Sequence, residues 1–172
     1  MDIAAVQKSA WSFVLDEPTR VLVADDDPIL LEFAIVHLSS PTAVIETAPD
    51  GATALAMLNQ NHFDIALLDI AMPGIDGFGV LEKIRADAGL RHMPVMMLTG
   101  HEDIASIDRA YSLGANSFAT KPVNWRLLSY HIRYVLRTSR IERELRKAHC
   151  RIDSAGDAQA NVRAVADTLA LA

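Results

Sequence analysis

The sequence predicts an α/β fold: a doubly wound, five-stranded parallel sheet with helices on both faces, followed by a helical, coiled-coil-like C-terminal extension. Three observations predict it. From Arg20 onward, short apolar runs alternate with longer amphipathic stretches. Those runs are apolar throughout, as strands covered on both faces must be. Most of them end on a polar residue able to carry chemistry: Asp25, Asp69, Thr99 and Lys121.

The elements follow in order. Val21-Leu22-Val23-Ala24 reads as the first strand, and a helix can start at Pro28, since proline suits a first helical turn. Ala43-Val44-Ile45 is the second strand, with a helix from Gly51 to Asn61. Ile65-Ala66-Leu67-Leu68 is the third and runs straight into Asp69, with a helix from Gly77 to Ala86. Val95-Met96-Met97-Leu98 is the fourth, ending at Thr99, with a helix from Asp103 to Leu113. Asn116 to Ala119 is a short fifth strand, and a long helix starts near Asn124. Strict β–α alternation implies parallel strands joined by crossover helices. Five such units suit a flavodoxin-like sheet, whose ligands bind outside the C-terminal strand ends, where the strand order switches.

Composition sets the outer bounds. The 172 residues are 51% hydrophobic with only 6% aromatics, so the core should be aliphatic. This length suits one domain with an extension, divided here as an N-terminal extension over 1–19, a main domain over 20–138 and a tail over 139–172. A short helix is expected within Ile3–Leu15. The single cysteine, Cys150, excludes an internal disulfide and any zinc site needing two cysteines of one chain. With no long apolar run and no signal-peptide pattern, the expected setting is cytoplasmic, without membrane insertion. The net charge of −6 is unevenly spread. Residues 1–125 carry 17 acids and 7 bases, whereas 126–151 carry 8 bases and 2 acids. Such asymmetry marks the C-terminal part as an element with its own surface role.

A parallel sheet brings its strand ends to one edge, so Asp25, Asp26, Asp27, Asp69, Thr99 and Lys121 can converge. Clustered carboxylates resist joint ionisation unless a cation is present. Mg²⁺ suits such a site, because it takes hard oxygen ligands, keeps several waters and accepts phosphate oxygens. Asp69 can then act as a nucleophile toward phosphorus, forming an aspartyl-phosphate. Phosphoryl transfer needs positioning and charge stabilisation, to which the Lys121 ammonium and the Thr99 hydroxyl can contribute. Taken singly, each residue has a blander role. An Asp after a strand commonly caps a helix or shapes a turn. The ordered occurrence of all of them at successive strand ends outweighs those separate explanations.

The stretch Arg20 to Arg137 resembles a response-regulator receiver domain of two-component, or phosphorelay, signalling. Four segments carry the resemblance: Val21-Leu22-Val23-Ala24-Asp25-Asp26-Asp27-Pro28; Leu67-Leu68-Asp69-Ile70-Ala71-Met72-Pro73-Gly74-Ile75-Asp76-Gly77; Met97-Leu98-Thr99-Gly100; and Phe118-Ala119-Thr120-Lys121-Pro122. The resemblance implies that Asp69 is the phosphoacceptor. It implies that Asp26 ligates Mg²⁺ directly, Asp25 mainly through water, and Ala71 through its backbone carbonyl. Thr99 and Lys121 would bind the phosphoryl group, and Phe118 would be the switch aromatic. The implied partner is a histidine kinase or histidine phosphotransfer protein, and the implied chemistry is that of a signalling phosphoacceptor rather than an enzyme.

The tail departs from that pattern. Ile141, Leu145, Ala148 and Ile152 are spaced 4-3-4, a coiled-coil-like seam over 139–152. A break is expected near 154–157, at Ser154-Ala155-Gly156-Asp157, before a short helix over 158–171. Three readings remain open: a homodimer through the C-terminal helix, a folded-back or partner-binding surface, and nucleic-acid contact. The last ranks lowest, since no recognition-helix pattern or interleaved aromatics accompany the basic residues. Two other functions compete with the receiver reading. A Mg²⁺-dependent phosphatase of haloacid-dehalogenase type would place its nucleophile after the first strand, not the third. A receiver-like docking module without phosphorylation would not need the intact acidic cluster.

Overall fold

The computed structural model describes residues 14–100 and 104–170, with 152–170 described by backbone alone. It forms two compact units, Met1–Leu136 and Arg137–Ala172. In the first unit, strands β1 (Thr19–Ala24), β2 (Ala43–Ala48), β3 (Ile65–Asp69), β4 (Val95–Thr99) and β5 (Ser117–Thr120) make one sheet of order β2-β1-β3-β4-β5. Every pairing is parallel. Helices α1 (Pro28–Leu38), α2 (Gly51–Gln60), α3 (Gly77–Ala86), α4 (Ile104–Ser112) and α5 (Trp125–Ala170) alternate with the strands. The flavodoxin-like doubly wound sheet is therefore present, and each observed strand overlaps its expected one.

Successive strand residues point to opposite faces, which divides the core in two. Val21, Val23, Ile65, Leu67, Met96 and Leu98 pack on one side with Leu31, Ala34 and Leu38 of α1 and Leu128, Ile132, Val135 and Leu136 of α5. Leu22, Ala24, Ala66, Leu68, Val95 and Met97 pack on the other with Ala54, Leu58, Phe78, Leu81, Ile84 and Ala110. Helices α1, α2 and α3 start where acidic side chains cap them. Asp27 Oδ1 accepts from the Ile29 amide at 2.9 Å, Asp50 from Thr53 at 2.7 Å and Asp76 from Gly79 at 2.7 Å. Each satisfies an amide that the first helical turn would otherwise leave without a partner.

One expectation for the tail fails. No break occurs near 154–157, because α5 runs through Ser154, Ala155, Gly156 and Asp157 to Ala170. A glycine inside a helix costs only about 1 kcal/mol relative to alanine, and Ala155, Ala158 and Ala160 beside it are the best helix formers. The expected N-terminal helix falls on residues 1–13, outside those described, apart from Val14 and Leu15, which are not helical. Among the described residues, no helix is long and apolar enough to cross a membrane.

Candidate phosphoacceptor site

The strand order decides which side chains meet. β1 lies between β2 and β3, and Ala24 pairs with Leu68, so the next residues, Asp25 and Asp69, emerge side by side. Leu98 pairs with Asp69, and Thr99 pairs with Thr120, which leads directly to Lys121. Asp25, Asp69 and Thr99 are all buried. Lys121 reaches back over the edge of the sheet. Its Nζ lies 2.7 Å from Asp25 Oδ2 and 2.8 Å from Asp69 Oδ1. The backbone ties the same residues together, since the Lys121 amide donates to the Thr99 carbonyl at 2.7 Å. The Lys121–Pro122 peptide is cis.

The Asp25 side chain has no solvent exposure. Its Oδ1 accepts from the Asp27 amide at 3.0 Å. Its Oδ2 has no partner of hydrogen-bond geometry, so the 2.7 Å approach of Lys121 is an ionic contact rather than a directional one. Burial pushes the Asp25 carboxyl above its ordinary value, and the Asp69 charge adds to the rise; Lys121 and the Asp27 amide oppose it without cancelling it. Burial acts on Lys121 to lower its pKa, but the two carboxylates together outweigh it and hold the ammonium above its usual range. The site therefore keeps a charged lysine at any physiological pH.

Asp25, Asp26 and Asp69 each offer an oxygen, and these oxygens lie within 4.8 Å of one another. Asp26 is exposed, unlike its two neighbours. At Mg²⁺–oxygen distances of about 2.0–2.1 Å, opposite ligands of one ion stand roughly 4 Å apart. The three acids therefore fit a hydrated Mg²⁺ that takes some of them directly and another through water. The buried, hydrogen-bond-deficient Asp25 Oδ2 is the oxygen that a cation or its water would satisfy. Ala71 lies exposed in the loop after β3. Among the described residues, a Cβ added at Gly100 would meet nothing within 4 Å.

Phe118, on β5, is half-buried against the aliphatic layer that includes Met97 and Ala110. Its ring meets the Tyr111 ring edge-on, with centroids 5.9 Å apart. One positioning residue escaped the sequence reading. At Gly77 a Cβ would stand 2.1 Å from the Asp69 carbonyl oxygen, so only glycine lets α3 begin so close to Asp69. In the sequence it stands as the start of a helix and the end of the Leu67–Gly77 segment, and neither marks the close approach.

Comparison with known proteins agrees with this geometry. The family description of the response regulator receiver domain matches residues 21–133. The chain belongs to that family. Phosphoryl acceptance from a histidine kinase is the general kind of function found in it. The receiver is 37% identical over 118 residues to the heme response regulator HssR of Staphylococcus aureus, an alignment covering 69% of this chain and 51% of that protein. It thus spans about half the length of the curated relatives it matches. Among solved structures, a CheY-like receiver domain protein from Methanospirillum hungatei superposes with a TM-score of 0.67 at 29% identity, covering 72% of this chain and 98% of that one. NtrX from Brucella abortus, in complex with ATP, gives 0.69 at 30% identity, covering 74% of this chain and 29% of that one.

The suppressed ionisation of Asp25 has a measurable consequence. A carboxyl with a raised folded-state pKa favours the folded state most below its ordinary value of 3.8, and this contribution is lost as pH climbs to the raised value. Lys121, also raised, has the same sign of dependence in a far higher window: its contribution is fully present below its ordinary value of 10.5 and is lost only as pH climbs to the raised value. Asp25→Asn should therefore raise the thermal midpoint of the metal-free receiver at pH 7 by several degrees and leave it unchanged near pH 3. Thermal unfolding followed by circular dichroism at the two pH values checks both halves.

Proposed function

We propose that this receiver takes a phosphoryl group onto Asp69 from a histidine kinase or histidine phosphotransfer protein, in the presence of Mg²⁺. The observation that carries this reading is the buried Asp25–Lys121–Asp69 contact at the C-terminal edge of the sheet, with Asp26 beside it. Asp26, Asp69 and the Ala71 carbonyl would hold the metal directly, and Asp25 would act through water. The metal would supply charge neutralisation for the incoming phosphoryl oxygens. Asp69 attacks phosphorus through a carboxylate oxygen as the phosphorus bond to the donor breaks, and the donor departs with the bonding pair. The Lys121 ammonium, already 2.8 Å from Asp69, then pairs with a phosphoryl oxygen, and the Thr99 hydroxyl donates to another. The added charge of about −1.5 to −2 needs a bistable element to act at a distance. We assign that role to Thr99 and Phe118: Thr99 moves toward the phosphoryl group and Phe118 turns inward into the space released.

Phosphorylation by acetyl phosphate with Mg²⁺ tests the reading. Intact-mass measurement should show one added phosphoryl group, absent in Asp69→Asn and strongly reduced in Lys121→Ala. Continuous turnover of acetyl phosphate without accumulation of a phosphorylated chain would instead favour a phosphatase.

The output we infer is self-association, a homodimer through the C-terminal helix. Ile141, Leu145 and Ala148 are exposed along α5, and Leu145 retains 64% of its surface. Ile152 continues the seam in register, and its side chain lies outside the described residues. The flanking charges are self-complementary. In a parallel pair, Glu144 of one copy faces His149 of the other; in an antiparallel pair centred between Leu145 and Ala148, it faces Arg151. Burying a leucine stabilises by about 1.5–3 kcal/mol, so Leu145→Glu should weaken association roughly tenfold or more. Analytical ultracentrifugation reads this, with Arg146→Glu on the outward side of the helix as the control. A wild-type chain that stays monomeric at tens of micromolar in both phosphorylation states would exclude the dimer.

A further inference from the structure

The first turns of α5 carry a pattern that the phosphoacceptor reading does not use. Leu128, Ser129, Ile132, Val135 and Leu136 are buried. Between them, Leu127 retains 52% of its surface and Tyr134 72%, and His131 and Thr138 are exposed as well. Asn124 caps this start of the helix, its Oδ1 accepting from the Leu127 amide at 3.1 Å. A single exposed leucine is ordinary, because apolar atoms make up much of any protein surface. A periodic series of exposed positions is not. Leu127, His131, Tyr134, Thr138, Ile141, Leu145 and Ala148 follow at intervals of 4-3-4-3-4-3, and all are exposed. Leu127, Tyr134, Ile141 and Ala148 thus take the d positions of a heptad, and His131, Thr138 and Leu145 the a positions. The five buried residues fall at b, e and f. The core takes one side of the helix and leaves open the side that a coiled-coil partner would meet.

We propose that this face meets the same face of a second copy in a parallel, in-register pair whose seam begins at Leu127. The inference rests on the dimer proposed above and adds its extent and its orientation. The polar layers decide the orientation. In a parallel, in-register pair each seam residue meets its own copy, so His131 faces His131 and Thr138 faces Thr138. Polar groups then face polar groups, and apolar layers stay apolar. In an antiparallel pair a positions face d positions. With Leu127 opposite Ile152, His131 would face Ala148 and Thr138 would face Ile141. Centred between Leu145 and Ala148, the pair would set His131 against Val162 and Thr138 against Ala155. Both antiparallel alignments bury polar side chains against apolar ones, which is unfavourable without a hydrogen-bonding partner. A polar residue at an a position fixes register and strand number for this reason, at some cost in stability. The flanking charges agree with the parallel pair. Arg137, at g, stands opposite Glu142 of the other copy, at e, and both are exposed.

Sedimentation equilibrium of the full chain reads the extent of the seam. Leu127→Glu and Tyr134→Glu should each weaken association roughly tenfold or more, as Leu145→Glu does. His131→Ile should tighten it, because it replaces a polar layer by an apolar one. All three positions are exposed, so circular dichroism should show the fold retained. Cross-linking reads the orientation. Cys150 is the only cysteine and falls at an f position, facing away from the seam, so the wild-type chain should not bridge with oxidised glutathione. In a Cys150→Ser background, Thr138→Cys should give a disulfide-linked dimer under the same conditions. A monomeric wild-type chain would defeat the dimer itself and this seam with it. A wild-type dimer weakened by Leu145→Glu but indifferent to Leu127→Glu and Tyr134→Glu would overturn the extended seam alone. Failure of Thr138→Cys to bridge, or bridging only when it is mixed with Ile141→Cys, would overturn the parallel register.

Discussion

The Lys121 ammonium, held between the buried carboxylates of Asp25 and Asp69, is the contact on which the rest of the receiver depends. Two acids with almost no solvent exposure stand at neighbouring strand ends. Their mutual repulsion and lost hydration both oppose ionisation. A single lysine, delivered by the last strand, offsets part of that cost. The strand order makes the meeting possible. Because β1 and β3 are central neighbours and β5 lies at the edge beyond β4, the acids emerge together and the lysine approaches from the side. The offset is incomplete, as the raised Asp25 carboxyl and its hydrogen-bond-deficient Oδ2 show. A fold that retains such an incompletely compensated group gives up stability at that point.

Much of this arrangement was legible in the sequence because it depends on local signals. Continuous apolar runs such as Val21–Ala24 and Ile65–Leu68 identify covered parallel strands, and acids directly after them identify an edge. Pro28 after Asp27 announces a helix start, and the Asp27 side chain caps it by a reach of two residues. What escaped depends on contacts distant in sequence or on small energy differences. The clearance that makes Gly77 necessary is set by a carbonyl eight residues away in the chain, and no periodicity records it. The stacking of His37 between Phe33 and Trp125, with centroids 5.8 and 5.7 Å apart, joins elements far apart in sequence. The absent break at 154–157 shows the other limit. Gly156 weakens a helix by an amount that neighbouring alanines can outweigh, so its presence alone does not terminate one.

The two compact units carry different kinds of information. The family match covers residues 21–133, where buried geometry determines chemistry. From Arg137 onward there is a helix with an exposed apolar seam, and its role rests on what it meets rather than on what it encloses. In the curated relatives the matched receiver is about half of the protein, and one fold can serve many functions.

The central claim is that Asp69, and no other acid of the cluster, carries the phosphoryl group. Borohydride reduction of the phosphorylated chain tests it most directly, because an aspartyl-phosphate is reduced to homoserine and leaves a permanent mark in the sequence. Peptide mass spectrometry should then find homoserine at position 69 alone. Homoserine at position 25 or 26, or a phosphorylated chain with no homoserine at all, would contradict the account.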